Sequence, residues 1–268
     1  MTATAAGVPG RAALLPGPGE PSSAPREPAA PVMLLDADEE LAAAVPAPDR
    51  ERARRALVVA EHAVGSGIVE LGRLPMAGTT FLLLLLEGTL TRDVVLADHE
   101  LSELLVPGDL LSPWEPVAEG IPSVRRLRAL DHVRLAALDG RFIRAAAAWP
   151  GLMTAVQRRL NDQEHRVATH GVICQLPRVE QRIRAVMWHL AMRTGTVGTE
   201  GTVVPVRLTH QALGRLVGAR RPTVTIALKQ LAATGRLVRR RDGSWLIPAG
   251  AGAAEPTDGS VGIAPVAR

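Results

Sequence analysis

Short apolar runs and turn residues alternate from about Val32 to Ala148. The runs are Leu57–Ala60, Ile68–Leu71, Phe81–Leu86, Leu90–Leu96, Leu101–Val106 and Val124–Leu138. Gly65, Gly67, Pro75, Gly78, Gly88, Pro107, Gly108, Pro113, Gly120 and Pro122 punctuate them. Many short strands at this spacing predict a sandwich or barrel rather than parallel βαβ units. Ala42–Ala44 and Arg50–Ala56 predict short helical pieces on its flank.

The period changes near Pro150. Met153, Val156, Leu160, Gln163, Val167, His170 and Cys174 recur at alternating steps of three and four. That is a heptad seam on one helix. Pro150 suits a first helical turn, and Pro177 limits continuation. Two partners for the seam compete: the chain's own β domain, or the same helix of a second chain. The narrow stripe favours the second chain, because a globular helix usually buries a wider one. Gln163 and His170 on the seam are candidates for fixing register.

The last segment changes texture again. Val179, Ile183, Val186, Met187 and Leu190 predict an amphipathic helix ending near Gly195. Val203–Leu208 reads as a strand, with Pro205 suited to an edge. Thr209 reads as an N-cap for a helix from His210 to Val217. Gly218 permits a tight turn. A second helix starts near Arg221, with Pro222 in its first turn and Val224, Ala227, Leu228 and Leu231 inward. Leu237–Arg240 and Ser244–Ile247 flank Asp242-Gly243, a short hairpin signal. Helix, strand, helix, turn, helix and hairpin is the layout of a winged helix-turn-helix.

Composition sets the outer boundaries. Residues 1–31 and 249–268 are rich in Ala, Pro and Gly, and are expected to be disordered tails. The segments expected are thus 32–148 (short strands), 149–176 (long helix) and 177–248 (winged helix-turn-helix). No apolar run reaches the roughly 18–20 residues of a membrane span. No signal peptide is read, so a soluble cytoplasmic protein without membrane contact is expected. Aromatics are 2% of the chain, which argues against a stacking surface for single-stranded nucleic acid. The single cysteine, Cys174, excludes an internal disulfide, a Cys-pair zinc site and an iron–sulfur cluster held by this chain alone.

Charge is distributed unevenly. The net charge is +4, yet residues 177–248 hold 12 Arg, one Lys and only 3 acids. No acid stands between Thr209 and Arg241. The outward face of the second helix presents Thr223, Thr225, Ile226, Lys229 and Gln230, with Arg220 and Arg221 at its start. A face without acids suits a DNA groove, because each acid would repel phosphates. Arg239, Arg240 and Arg241 on the hairpin suit phosphates for the same reason.

The stretch from Leu208 to Leu231 resembles the DNA-binding motif of the Crp/Fnr transcription regulators. Thr209, Leu213, Gly214, Val217, Gly218, Arg221, Thr223, Val224 and Leu228 fall on the family pattern. The order of a β-roll, one long helix and a winged helix is also similar, so the resemblance spans about residues 32–248. It implies an α+β chain: an N-terminal cyclic-nucleotide-binding-like β-roll (double-stranded β-helix, jelly-roll), a long dimerisation helix, and a C-terminal winged helix-turn-helix. It implies a homodimer on the double-stranded DNA of a palindromic operator. Residues matching Arg221 and the next outward turn would read base edges, and those matching Thr209 and Gln211 would touch phosphates. Further candidate partners are RNA polymerase and an unidentified small-molecule effector.

The sequence departs from the family in two places. Pro222 stands where members reading a G-rich half-site usually carry Glu, so their base preference does not transfer. Cyclic-nucleotide binders carry Gly-Glu-[Leu/Ile]-Ala and later Arg-x-Ala. Here Pro107-Gly108-Asp109 is followed by Leu110-Leu-Ser-Pro-Trp114, and Arg125 and Arg126 by Leu127 and Arg128. Tight cyclic AMP binding is therefore not expected. His62, His99 and His132 are isolated, so neither haem nor a metal is expected, nor any cofactor. Cys174 is open to a redox role or a small buried apolar one. No catalytic residue is assigned: the β region lacks paired metal ligands, a nucleophile motif and a Gly-rich phosphate loop. The competing non-enzymatic reading is a signalling adaptor using a β-roll and a long interaction helix, which leaves the basic segment unexplained.

Overall fold

The structure, a computed structural model, describes residues 30–97, 99–113 and 123–251. The expected tails lie largely outside these residues, as do Trp114, Gly120 and Pro122. In chain order the first half comprises β1 (Ala30–Met33), α1 (Leu34–Ala37), α2 (Glu39–Ala43), α3 (Arg50–Ala56), β2 (Val58–Val64), β3 (Gly67–Val69), β4 (Leu82–Glu87) and β5 (Leu90–Leu96). Then come β6 (His99–Leu105), β7 (Leu110–Leu111), β8 (Ser123–Ala129), β9 (Val133–Leu138) and α4 (Gly140–Ala146). Two antiparallel sheets form the β-roll, in the orders β1-β2-β9-β4-β7 and β3-β8-β5-β6.

The unbroken leucines of β4 follow from burial on both faces. Leu83 and Leu85 point between the sheets with Leu90, Leu105, Leu135 and Ala137. Leu84 points the other way, with Ala136 and Leu138, onto a layer built from Leu34, Leu41, Phe142 and Trp149. A strand buried on both faces reads as a run rather than an alternation.

The sequence reading differs from the structure in several places. Ala30 and Pro31, assigned to the N-terminal tail, pair with Glu61 and Ala60 as part of β1; an edge strand tolerates proline because its N–H side needs no ladder partner. The run Val124–Leu138 is two strands, β8 and β9. Their turn is held by Asp131, whose Oδ1 accepts from Thr89 N at 2.6 Å, while Leu130 N donates to Thr89 O. That turn carries neither Gly nor Pro, so local punctuation does not reveal it. Helix α4 stands where no helix was assigned. Asp139 caps it, accepting from the backbone N–H groups of Arg141 and Phe142.

The long helix α5 runs Pro150–Cys174, about 37 Å at 1.5 Å per residue. Its buried positions include Leu152, Ala155, Val156, Arg159 and Gln163, a wide stripe laid on the helix's own chain. Two expected dimer-seam residues are thereby reassigned. Val156 is 3% exposed in the core of its own chain. Gln163 accepts a hydrogen bond from Leu110 N at 3.2 Å. Alternating spacing defines a stripe but not which surface covers it. Arg159 ties the stripe to the N-terminal helices: its guanidinium donates to both Asp38 oxygens at 2.7 Å and to Glu40 at 2.8 Å. Met153 and Val167 remain exposed and Leu160 is half-buried.

Candidate nucleic-acid interface

The C-terminal segment comprises α6 (Val179–Thr194), β10 (Thr196–Gly198), β11 (Gly201–Val204), α7 (His210–Leu216), α8 (Arg221–Ala233), β12 (Val238–Arg239) and β13 (Trp245–Pro248). Its sheet has the order β10-β11-β13-β12. The strand expected at Val203–Leu208 ends at Val204, before Pro205, which has no N–H to offer a ladder. Val206 and Leu208 are still buried in the domain core. That core also holds Ile183, Met187, Leu213, Val224, Leu228, Leu231 and Trp245. The four inward positions assigned to α8 are thus all buried.

Two glycines permit the tight approach of α7 and α8. A Cβ on Gly214 would stand 2.5 Å from the carbonyl oxygen of Ala219. Gly218 turns the chain at φ +60°, a conformation that costs a side-chain-bearing residue more than glycine. Thr209 caps α7, its hydroxyl accepting from Ala212 N at 3.1 Å. The hydroxyl proton stays available, so the cap and a phosphate contact are compatible.

Packing on the inner face leaves one outer face. Arg220, Arg221, Thr223, Ile226, Lys229 and Gln230 are exposed, as are Thr209 and Gln211. Pro222 sits in the first turn of α8. The helix N-terminus is a partial positive charge, and Arg220 and Arg221 add two full ones beside it. Thr225 is the exception among the assigned residues. It is half-buried, and its hydroxyl donates to Arg221 O at 3.0 Å while accepting from His210 Nδ1 at 3.0 Å. It holds the two helices together, with its hydroxyl already engaged inside the domain. His210 was not singled out from the sequence; its place between Thr209 and Gln211 was the available signal.

The hairpin projects Arg239, Arg240 and Arg241, all exposed. Asp242 closes its turn: one carboxylate oxygen accepts from Ser244 N and Ser244 Oγ at 2.9 and 2.6 Å. The hydrogen bonds from Ser244 hold this carboxyl below the usual carboxylate range. The acid thus serves the turn, beside the three arginines. The guanidinium of Arg239 lies 5.6 Å from the Trp245 ring centroid, a cation–π placement that steadies the strand base.

The other candidates lie away from this face. His62 is 2% exposed on β2 with its Nε2 unpartnered, and burial pushes its pKa down. His170 donates from Nε2 to Leu216 O at 2.6 Å, and the Cys174 thiol lies 3.5 Å from the same oxygen. These two seam residues thus meet the end of α7 in their own chain, and burial pushes the Cys174 thiol up. Among the described residues no three His, Cys, Asp or Glu side chains gather as a metal site. No described helix is long and apolar enough to cross a membrane.

A winged helix-turn-helix carried on a β-roll by one long helix is the architecture of a DNA-binding transcription regulator. Residues 181–249 match the Crp-like helix-turn-helix domain. The fold is shared with a mutant of CooA from Carboxydothermus hydrogenoformans, at 16% identity and TM-score 0.55, covering 81% of this chain and 90% of that one. It is shared with a cyclic nucleotide-binding domain-containing protein from Listeria monocytogenes, at 13% identity and TM-score 0.57, covering 75% and 92%. The c-di-GMP responsive global regulator CLP of Xanthomonas campestris aligns at 17% identity and TM-score 0.50, covering 80% and 98%. No curated protein sequence matches significantly. Residues 181–249 thus belong with the Crp-like helix-turn-helix domains, and the chain shares the fold of these regulators.

Proposed function

We propose that the chain acts as a homodimer and reads a palindromic operator in double-stranded DNA, with α8 in the major groove. One observation carries this reading: the outer face of α8 and the hairpin present arginines and a lysine without a free acid, over a fully apolar inner face. Arg221 is the base-reading residue, with Thr223 in the same turn and Ile226 and Lys229 on the following turns. Thr209, Gln211, Arg220, Arg239 and Arg240 hold phosphates. Dimerisation uses the exposed side of α5, where Met153, Leu160 and Val167 recur at steps of seven. The β-roll is the sensor; without the Gly-Glu and Arg-x-Ala elements it does not take cyclic AMP tightly, and the chain binds DNA without a ligand or answers to an unrelated small molecule. The domain bounds are a sensor to 148, the long helix over 149–176 and the DNA-binding domain over 177–248.

The test is selection of bound fragments from a randomised duplex pool by the purified full-length protein. A recovered inverted repeat whose centres lie about one helical turn apart supports the reading. Recovery of no common sequence refutes it.

A further inference from the structure

The β-roll, α5 and the DNA-binding domain meet at a single buried carboxylate. Asp109 follows the Pro107-Gly108 turn and is 2% exposed. Its Oδ2 accepts from Val106 N at 2.9 Å, closing the turn. Its Oδ1 lies 2.5 Å from Arg166 Nη2 on α5, and its Oδ2 lies 2.6 Å from Arg193 Nη2 on α6. Two guanidiniums from two helices therefore share one carboxylate supplied by the β-roll. Leu104 and Val106, on either side of β6's end, are built into the core of the DNA-binding domain.

We propose that Asp109 is a positioning residue that sets the distance between the two recognition helices of the dimer; this rests on the dimeric DNA-binding reading above. The DNA-binding domain is joined to α5 through residues 175–178. Tied there alone, it would swivel, and the packing of Leu104 and Val106 against its core gives no directional hold. The Asp109–Arg193 pair holds α6 near its other end, about 21 Å further along at 1.5 Å per residue. Leu216 O, at the end of α7, is held by His170 of α5 at 2.6 Å, a further tie. Because α6, α7 and α8 share one core, fixing α6 fixes α8. Two half-sites must sit about 34–36 Å apart for both recognition helices to enter the groove, so a few ångströms of swivel is a base pair of spacing. Charge suits the role. Two arginines facing one carboxylate form directional, charge-assisted hydrogen bonds. With that charge removed, the same arginines repel and drive α5 and α6 apart.

The test uses the full-length protein and the half-site that the wild type selects from a random pool. Inverted repeats are made at the selected spacing and at one base pair shorter and longer, together with a single half-site. The wild type should favour one spacing by about tenfold, equivalent to about 1.4 kcal/mol. Asp109→Asn keeps the side-chain shape and an acceptor for Val106 N, and should reduce that preference to within about threefold. Single half-site affinity should be unchanged, which a folding defect would not allow. Arg193→Gln, which leaves the Asp109–Arg166 pair in place, should flatten the profile too and guards against an unfolded Asp109→Asn. A wild-type spacing profile in both variants overturns the proposal. A wild type that does not distinguish the inverted repeat from a scrambled duplex overturns instead the reading on which it rests.

Discussion

Replacing Met153 and Val167 with Glu should convert a dimer into a folded monomer. Met153 is 38% exposed and Val167 44% exposed in the single chain, so each still has roughly half of its apolar surface to bury against a partner. Full burial of such a side chain contributes about 1.5–3 kcal/mol. Half of that, at two positions on each of two helices, gives about 3–6 kcal/mol. Each 1.4 kcal/mol is tenfold in the dissociation constant. The double variant should thus weaken dimerisation by about 100-fold to 10,000-fold before the repulsion of four carboxylates is added. Sedimentation velocity over a concentration series reads this directly, with circular dichroism to confirm that helicity is retained. The choice of positions matters: Val156, on the same seam, is 3% exposed within its own chain. A Glu there would be buried without a partner and would unfold the β-roll helix layer instead. A double variant with the wild-type dimer mass and dissociation constant would show that α5 does not pair through this side.

Arg221→Ala should weaken binding to the selected operator by about 1–3 kcal/mol and change binding to a scrambled duplex much less. Arg240→Ala should weaken both, and reduce the slope of log affinity against log salt by about one unit; equal losses on both duplexes for Arg221→Ala would make that residue a phosphate contact. Arg159→Met should destabilise the chain by about 3–5 kcal/mol in urea unfolding, because it strands the buried Asp38 carboxylate; a loss under 1 kcal/mol would refute the pairing. Thermal stability should fall as pH drops from 7 to 5. Burial pushes the pKa of His62 down against the pull of Glu61, and burial together with Arg193, Arg166 and His170 does the same for His189, against the pull of Asp109. Both fold with pKa values below the ordinary 6.5, so the stability they allow is present above pH 6.5 and is lost on acidification. His62→Leu should flatten part of that decline, and an unchanged pH profile would contradict the assignment to His62. Calorimetric titration with cyclic AMP should show no saturable low-micromolar binding; such binding would overturn the inference from the missing Gly-Glu and Arg-x-Ala elements.

The DNA-binding domain was legible residue by residue because its signals are local. Thr209 caps three residues ahead, Gly214 and Gly218 shape one turn, and Val224 to Leu231 follow a single helical period. Helix α5 was equally legible as a helix, from Pro150 to Cys174. Its partner was not, because a three–four spacing specifies a stripe and leaves open what lies on it. Val156, Gln163, His170 and Cys174 turned to their own chain for that reason. The junction was out of reach altogether. Asp109 stands 57 residues from Arg166 and 84 from Arg193, and an isolated Asp after Pro-Gly reads as an ordinary turn residue. Thr225 was misjudged in the same way: the helical wheel places it near the outer face, and only the fold brings His210 to its hydroxyl.

The central claim, sequence-specific DNA reading by a dimer, is tested most directly by titrating the full-length protein against a selected operator duplex and a scrambled duplex over a salt series. The account predicts two chains per operator and a steep loss of affinity with salt on both duplexes. It also predicts a preference for the operator of at least about a thousandfold at physiological salt, the low end for specific DNA-binding proteins. Equal affinity for the two duplexes at every salt concentration, or one chain per operator at saturation, would contradict it.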